Sequence, residues 1–252
     1  MPSNNYLAIT PHFGWFLGQF THNLQHQHYA LQLSMALDAP LTVQTENETL
    51  TTNTAVLLKP NVPHRLTCEA QHLLVLINPA STIGHFWNQL TPQNSARITT
   101  QPVQQLQQTA MRFLNNTLNA TDFSAQIRAL FAQYDCFCNE FVHRGDARIE
   151  QAITYLHQHS ERIVALEEIA EHCHLSPSRF QHLFKNTTGM SYRRAQRWNK
   201  LTQALPYLGQ KSLTELAHEA GFADSAHFSR TFKENFGFSP REVLKDSRFI
   251  QV

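Results

Sequence analysis

A chain of 252 residues has room for two ordinary hydrophobic cores at roughly 100 to 200 residues per domain. Hydrophobic residues make up 42% and charged residues 15%, a globular balance, and no apolar run approaches the roughly 20 residues of a membrane span. The net charge of +1 is uneven: up to residue 147 there are 6 basic and 8 acidic side chains, and from Arg148 on 14 and 11, so the parts carry −2 and +3. That bias points to an anionic partner for the second part, since phosphate contacts need Lys and Arg.

Met1 to Thr10 lack a basic head followed by an apolar stretch, so export is not expected and the cytoplasm is. Cys68, Cys136, Cys138 and Cys173 have no metal-finger spacing and read as small hydrophobes in a reducing compartment.

From Tyr6 to about Pro79 short apolar runs alternate with turn residues. Leu31, Leu33, Met35 and Leu37 mark one face of a strand, Leu41 and Val43 follow Pro40, and Ala55 to Leu58 and Leu73 to Ile77 read as short buried strands. The period then changes. Val103, Leu106, Ala110, Phe113 and Leu114 recur at helical spacing, as do Phe123, Ile127, Leu130, Phe131, Tyr134 and Cys138. This helical pair, 101–145, packs either on its own domain or on a second copy of the chain, and self-association is favoured because readers of operator DNA so often dimerise. Arg144-Gly145-Asp146 is the best linker, and from Arg148 on only helix patterns and turns are expected.

The C-terminal part repeats itself. Glu168-Ile169-Ala170 and Leu175 match Glu215-Leu216-Ala217 and Phe222 at an offset of 47, and Phe180, Phe184, Lys185, Gly189 and Ser191 match Phe228, Phe232, Lys233, Gly237 and Ser239 at 48. Each copy reads as helix, tight turn, helix. The first turns at His174 to Ser176, with Ser176-Pro177 as N-cap and first helical residue; the second turns at Gly221, with Asp224 or Ser225 as the cap.

In the second helix of each copy the aromatic positions face inward. Ser178, Arg179, Gln181, His182 and Lys185 therefore project outward, as do Ser225, His227, Ser229, Arg230 and Lys233. Arg and Gln can make paired bonds to guanine and adenine edges, Ser and His single bonds, and Lys suits phosphate. One polar helix face is what any surface helix shows; two equivalent ones favour nucleic-acid reading. Between the copies, Ser191 to Leu208 is expected to form one long helix carrying Arg193, Arg194, Arg197 and Lys200. At 1.5 Å per residue it would span about 27 Å, enough to hold two reading helices near one duplex turn apart. Pro206 ends or kinks it.

These residues resemble the AraC/XylS family of transcription regulators. The likeness rests on Ser212-Leu213-Thr214-Glu215-Leu216-Ala217, Gly221-Phe222, His227-Phe228-Ser229-Arg230-Thr231-Phe232-Lys233 and Phe236-Gly237-Phe238-Ser239-Pro240, and on Leu175-Ser176, Phe180, Leu183-Phe184-Lys185 and Gly189-Met190-Ser191. It covers about Arg148 to Lys245 and implies base contacts from Ser178, Gln181 and His182, and from Ser225, Ala226, His227, Ser229 and Arg230. Ala195, Pro206 and Val243-Leu244 depart from the family pattern.

The N-terminal part is similar, over about His22 to Pro79, to the cupin-like β-barrel that binds effectors in many family members. His26-Gln27-His28 with Gln32 resembles the first cupin motif and Leu58-Lys59-Pro60-Asn61-Val62-Pro63-His64 the second. In cupin enzymes such histidines hold a metal; here Gln32 replaces the usual glutamate and the framing glycines are absent. No metal or cofactor is therefore expected, and a small organic effector is, in a pocket lined by His26, His28, Tyr29, Leu31, Leu33 and His64. A domain that only dimerises is the plainer reading. His172-Cys173-His174 reads as a core cysteine between two surface histidines, and no catalytic framework is visible.

The expected fold is α+β. Residues 1–100 form a cupin-like sensing domain, 101–145 two helices and a linker, and 146–252 an all-α domain of two helix-turn-helix units joined by a long helix. The expected function is sequence-specific reading of promoter DNA, with RNA polymerase as a partner if the protein is an activator, and a homodimer as the assembly. No membrane partner and no enzymatic activity are expected. The rival is a cupin metal enzyme or metal sensor with a DNA-binding tail.

Overall fold

The computed structural model of the chain describes residues 5–10, 12–19, 25–90, 93–133, 146–159, 162–246 and 248–249. The first eight elements are strands: β1 (Tyr6–Ile9), β2 (Phe13–Gly18), β3 (Leu31–Ala36), β4 (Leu41–Thr45), β5 (Thr49–Thr52), β6 (Ala55–Leu58), β7 (His64–Cys68) and β8 (His72–Ile77). Helix α1 (Thr82–Asn88), strand β9 (Ser95–Ile98) and helices α2 (Gln101–Leu114) and α3 (Ala120–Gln133) complete the N-terminal part. The helical part holds α4 (Ala147–Gln158), α5 (Leu166–His172), α6 (Pro177–Thr188), α7 (Tyr192–Ala204), a 3-10 turn at Leu205–Tyr207, α8 (Leu213–Glu219), α9 (Ser225–Phe236) and α10 (Pro240–Asp246). Strand β10 (Arg248–Phe249) ends the described chain.

The strands divide into a seven-stranded sheet, ordered β10-β1-β2-β8-β3-β6-β9, and a three-stranded sheet, ordered β5-β4-β7. Every residue of β2, β3 and β8 is buried. Such central strands need a cover on both faces. Leu31, Leu33 and Met35 of β3 lie opposite Ile77, Val75 and Leu73 of β8, and this face packs with Trp15, Trp87 and the apolar stripes of α2 and α3. Phe123 of α3 stands edge-on to Trp15 at 4.9 Å between ring centres and stacks on Phe113 of α2 at 4.6 Å. The two helices thus lay their stripes on the sheet of their own domain and not on a second copy, the favoured expectation, because Trp15, Trp87 and the β3–β8 face offer them apolar cover within the chain. Tyr134 and Cys138, read as continuing the second stripe, lie outside the described residues, as do Arg144 and Gly145 of the expected linker.

The opposite face of the large sheet has two covers. Ala36, Val56 and Leu58 meet Leu41, Val43 and Leu66 of the small sheet. Leu7, Ile9, Phe16, Leu74 and Leu76 instead join the core of the helical part, with Phe236 among its members. The two-residue β10 pairs in parallel with β1, Tyr6 opposite Arg248 and Leu7 opposite Phe249. This corrects the expectation of helix and turn alone after Arg148. A two-residue strand has no period to read, and its pairing comes from the edge of β1.

His72 is 1% exposed in β8, and burial pushes its imidazole down to about 4. Between its ordinary value and 4 the unfolded chain binds a proton that the folded chain does not, so stability must fall as pH falls. Urea unfolding of the intact chain should lose up to about 1.4 kcal/mol per pH unit from this group between pH 6.5 and 4. The variant His72→Gln should have a flatter profile by that amount; an unchanged slope would show that His72 does not set it.

Candidate nucleic-acid interface and the histidine cluster

The repeat seen in the sequence is repeated in hydrogen bonds. In the first unit the Leu175 amide donates to the Ala170 carbonyl at 2.8 Å; in the second, Phe222 donates to Ala217 at 2.8 Å. The turn residue between them is left-handed in both, at φ +53 for His174 and +69 for Gly221. Glycine occupies that region without penalty whereas histidine does not. The helices that follow are capped alike: the Ser176 hydroxyl accepts from the Arg179 amide at 3.4 Å and the Asp224 carboxylate from the His227 amide at 2.6 Å. Both end on a left-handed glycine, Gly189 at φ +70 and Gly237 at +83, whose amides donate to Lys185 and Lys233. Two equivalent sets of inward rings, Phe180 with Phe184 and Phe228 with Phe232, are fully buried.

On α6, Ser178, Arg179, Gln181, His182 and Lys185 are all exposed. On α9 the expected set is less uniform. Ala226, Arg230 and Lys233 are exposed, whereas Ser225, His227 and Ser229 are half-buried. The Ser229 hydroxyl donates to the Ser225 carbonyl at 2.7 Å, and the His227 ring lies edge-on to Phe222 at 5.2 Å. Among the described residues, ion pairs join Arg148 to Asp146, Arg162 to Glu168, Arg194 to Glu234 and Lys211 to Glu219, and His85 Nδ1 lies 3.8 Å from the Glu150 carboxylate. Arg179, Lys185, Arg230 and Lys233 take part in none of these. Cys173 is buried, its thiol donating to the Arg148 carbonyl at 3.2 Å, between exposed His172 and His174.

The connecting helix is shorter than expected. α7 has 13 residues, about 20 Å at 1.5 Å each, and passes into the 3-10 turn that contains Pro206. Proline has no amide to continue the α-helical ladder. Arg193 is exposed and Arg197 and Lys200 half-buried, with the Lys200 ammonium 3.1 Å from where a Cβ on Gly221 would lie. Arg194 turns the other way: its guanidinium lies 3.5 Å from the centre of the Tyr29 ring and 3.6 Å from the Glu234 carboxylate.

That contact belongs to a seam between the two parts. The Tyr29 amide donates to the Glu234 carbonyl at 3.2 Å. Phe236 and Phe238 line a narrow apolar crevice with Leu7, Ile9, Phe16 and Leu76. Phe236 also lies 5.3 Å from Trp198 of α7 between ring centres. Their counterparts in the first unit are Thr188 and Met190. The excess of aromatic residues in the second copy was thus the one sequence signal of a docked unit.

The expected effector-lining set is split by strand alternation. Leu31 and Leu33 face α2 and α3, away from the histidines, because successive side chains of β3 point to opposite faces. Gln32 points to the other side, where its Oε1 lies 2.7 Å from His28 Nε2 and 3.2 Å from His64 Nε2. His26 is joined to His64 by two backbone hydrogen bonds of 3.0 and 2.9 Å. One nitrogen from each of His26, His28 and His64 lies within 4.8 Å of the others. Burial, with the neighbouring histidine charge, pushes His28 down to about 3, and burial pushes His64 to about 4, so both rings are neutral near pH 7. Gly237 closes the cluster: a Cβ there would lie 2.8 Å from His26 Cδ2 and 3.1 Å from His28 Cδ2.

Comparison with known proteins finds a helix-turn-helix domain family matching residues 169–246. The chain is 37% identical over 100 residues to the HTH-type transcriptional activator RhaS of Escherichia fergusonii, covering 39% of this chain and 36% of that protein. It is 34% identical over 101 residues to RhaS of Salmonella schwarzengrund, again covering 36% of that protein. The match thus spans about a third of these curated relatives. In fold, the whole chain is similar to an apo form of ToxT from Vibrio cholerae, with a TM-score of 0.55 and 14% identity over 98% of this chain and 97% of that one. It is likewise similar to ToxT with an unsaturated fatty acid bound, at a TM-score of 0.53 and 13% identity over 97% and 95%.

Replacing His174 by Gly should raise stability by roughly 0.5–1 kcal/mol, the left-handed penalty less the added unfolded-chain entropy. Gly221→Ala should lower it by about 1–2 kcal/mol. Urea titration of the two variants checks both signs, and equal responses would break the equivalence of the turns.

Proposed function

We propose that the chain is an AraC/XylS-family regulator of transcription that reads DNA in a sequence-specific way, working in the cytoplasm, and not an enzyme. The observation that carries this reading is the duplicated helix-turn-helix unit, with the same turn hydrogen bonds and two outward polar faces. Arg179, Gln181 and His182 on α6 and Arg230 on α9 are the base-reading groups, with Ser178, Ser225, Ala226, His227 and Ser229 beside them. Lys185, Lys233, Arg193, Arg197 and Lys200 serve the phosphates.

Residues 1–100 act as the sensing part. A small molecule bound by a ToxT-like fold supports an effector for this chain too. The seam supports a route from it to DNA, because the end of α9 rests on the N-terminal sheet. An effector that prefers one arrangement of that seam changes DNA affinity by its difference in affinity for the two states. RNA polymerase is the further partner if the protein activates, and two copies of the chain form the working assembly.

Selection of sites from random duplex DNA by the full-length chain should enrich two short elements about one helical turn apart. No enrichment would overturn specific reading. On the selected site Arg230→Ala should cost about 1–3 kcal/mol and relax preference at one base pair. Lys200→Ala should weaken all sequences alike and reduce the salt dependence by about one phosphate contact. A changed base preference for Lys200→Ala would remove it from the phosphate set.

A further inference from the structure

The internal repeat runs on past both reading helices. Gly189-Met190-Ser191-Tyr192-Arg193 and Gly237-Phe238-Ser239-Pro240-Arg241 align at the offset of 48, and each stretch ends in the first turn of a new helix, α7 or α10. The path between is the same in both: a left-handed glycine, at φ +70 or +83, and then a serine just before the helix. Arg193 and Arg241 are each the second residue of their helix, and both are exposed.

A cation is a poor occupant of that position, because the start of a helix carries partial positive charge and favours acidic side chains. The helices of the domain divide accordingly. In their first turns α4 has Glu150, α5 has Glu167 and Glu168, and α8 has Glu215. No acid stands in the first turns of α6, α7 and α9. α6 and α9 are the proposed reading helices, where an acid would repel phosphate, and the start of α7 shares their chemistry.

α10 does have an acid, Glu242, but its carboxylate is held within the chain. It accepts from the Ser239 amide at 2.5 Å, while the Glu242 amide donates to the Ser239 hydroxyl at 3.3 Å. The bonds to Ser239, with the charge of Lys233, keep the Glu242 carboxyl below its ordinary range. Lys233 is exposed on α9, so the start of α10 lies within electrostatic reach of the outward face of the second reading helix. In the first unit the place of Glu242 belongs to Arg194, which turns away to Tyr29 and Glu234. Arg193 and Arg241 enter none of the ion pairs found among the described residues.

We propose that Arg241, like Arg193 in the first unit, contacts a phosphate of the DNA backbone, so that each reading helix is followed by its own arginine anchor. The assignment rests on the DNA-reading function proposed for the chain. An exposed guanidinium next to a reading helix, at a place its own helix disfavours, fits an anionic partner outside the chain. Because the units repeat, the two phosphates should lie about one helical turn apart, as the two base elements do.

The test measures affinity of the full-length chain for a duplex carrying its selected site, between about 50 and 200 mM salt. Arg241→Ala should lower the slope of log affinity against log salt by about 0.9 and weaken binding roughly 8-fold at about 0.1 M, the effect of one counterion no longer released. Arg193→Ala should do the same, and the double variant should lose about twice the slope. Arg241→Lys should keep the parent slope, since lysine also serves phosphate as a point charge. Base preference should stay unchanged in every variant. The urea midpoint of Arg241→Ala should equal or exceed the parent's, because alanine relieves the conflict with the helix dipole. A parent-like slope in Arg241→Ala overturns the contact even where affinity falls, as a structural role would give. Loss of slope in Arg241→Lys, or a changed base preference in Arg241→Ala, overturns it as well. A parent chain that binds no duplex overturns the DNA-reading function itself, a failure seen before any variant is compared.

Discussion

The large sheet has two apolar faces, and no single partner in the chain covers both. Every side chain of β2, β3 and β8 is buried. α2 and α3 cover one face with aromatic rings. The other face is divided between the small sheet and the second helix-turn-helix unit, whose Phe236 and Phe238 lie against Leu7, Ile9, Phe16 and Leu76. A fully buried aromatic or branched side chain is worth about 1.5–3 kcal/mol. Undocking the unit would expose several of them at once. The position of α9 is thus tied to the integrity of the N-terminal sheet.

This constraint makes two similar units unequal. α5–α6 and α8–α9 share turn geometry, caps and terminal glycines. The first presents five exposed polar side chains on α6; the second has half its set partly covered and its end held by Tyr29, Arg194 and Glu234. On the proposed function, the setting of α9 depends on the N-terminal part more than that of α6, whose terminal Gly189 meets it only at the edge of Pro60. An effector of the kind proposed would act through that difference, because a ligand shifts an equilibrium only through contacts that differ between states.

The polar chemistry of the seam is concentrated at one point. Gln32 is buried on the face of β3 that also holds Ser34, and its side chain lies 2.7 Å from His28 Nε2, 3.2 Å from His64 Nε2 and 2.9 Å from the Ser34 hydroxyl. Buried polar groups in such number are costly unless all are paired. A Cβ on Gly237 would meet His26 and His28, so the histidine loop lies against the end of α9.

Local features of the sequence determined much of this. The strands around Leu31, Leu41, Ala55 and Leu73, the helices around Val103 and Phe123, and both helix-turn-helix units follow from side-chain period, capping residues and turn chemistry, which are properties of neighbours in the chain. Pro206 marked the end of the connecting helix, though its effect on length was underestimated. What lay beyond reach were juxtapositions across the chain. Strand register decided that Leu31 and Leu33 face away from His28 and His64. Packing decided that Arg194 meets Tyr29, that Phe236 and Phe238 cover the sheet, that the last residues pair with β1, and that Gly237 closes the histidine cluster. The sequence determined which elements form, because helix and strand formation depends on nearby residues; the tertiary structure decided which side chains converge, because that depends on how two apolar faces find cover.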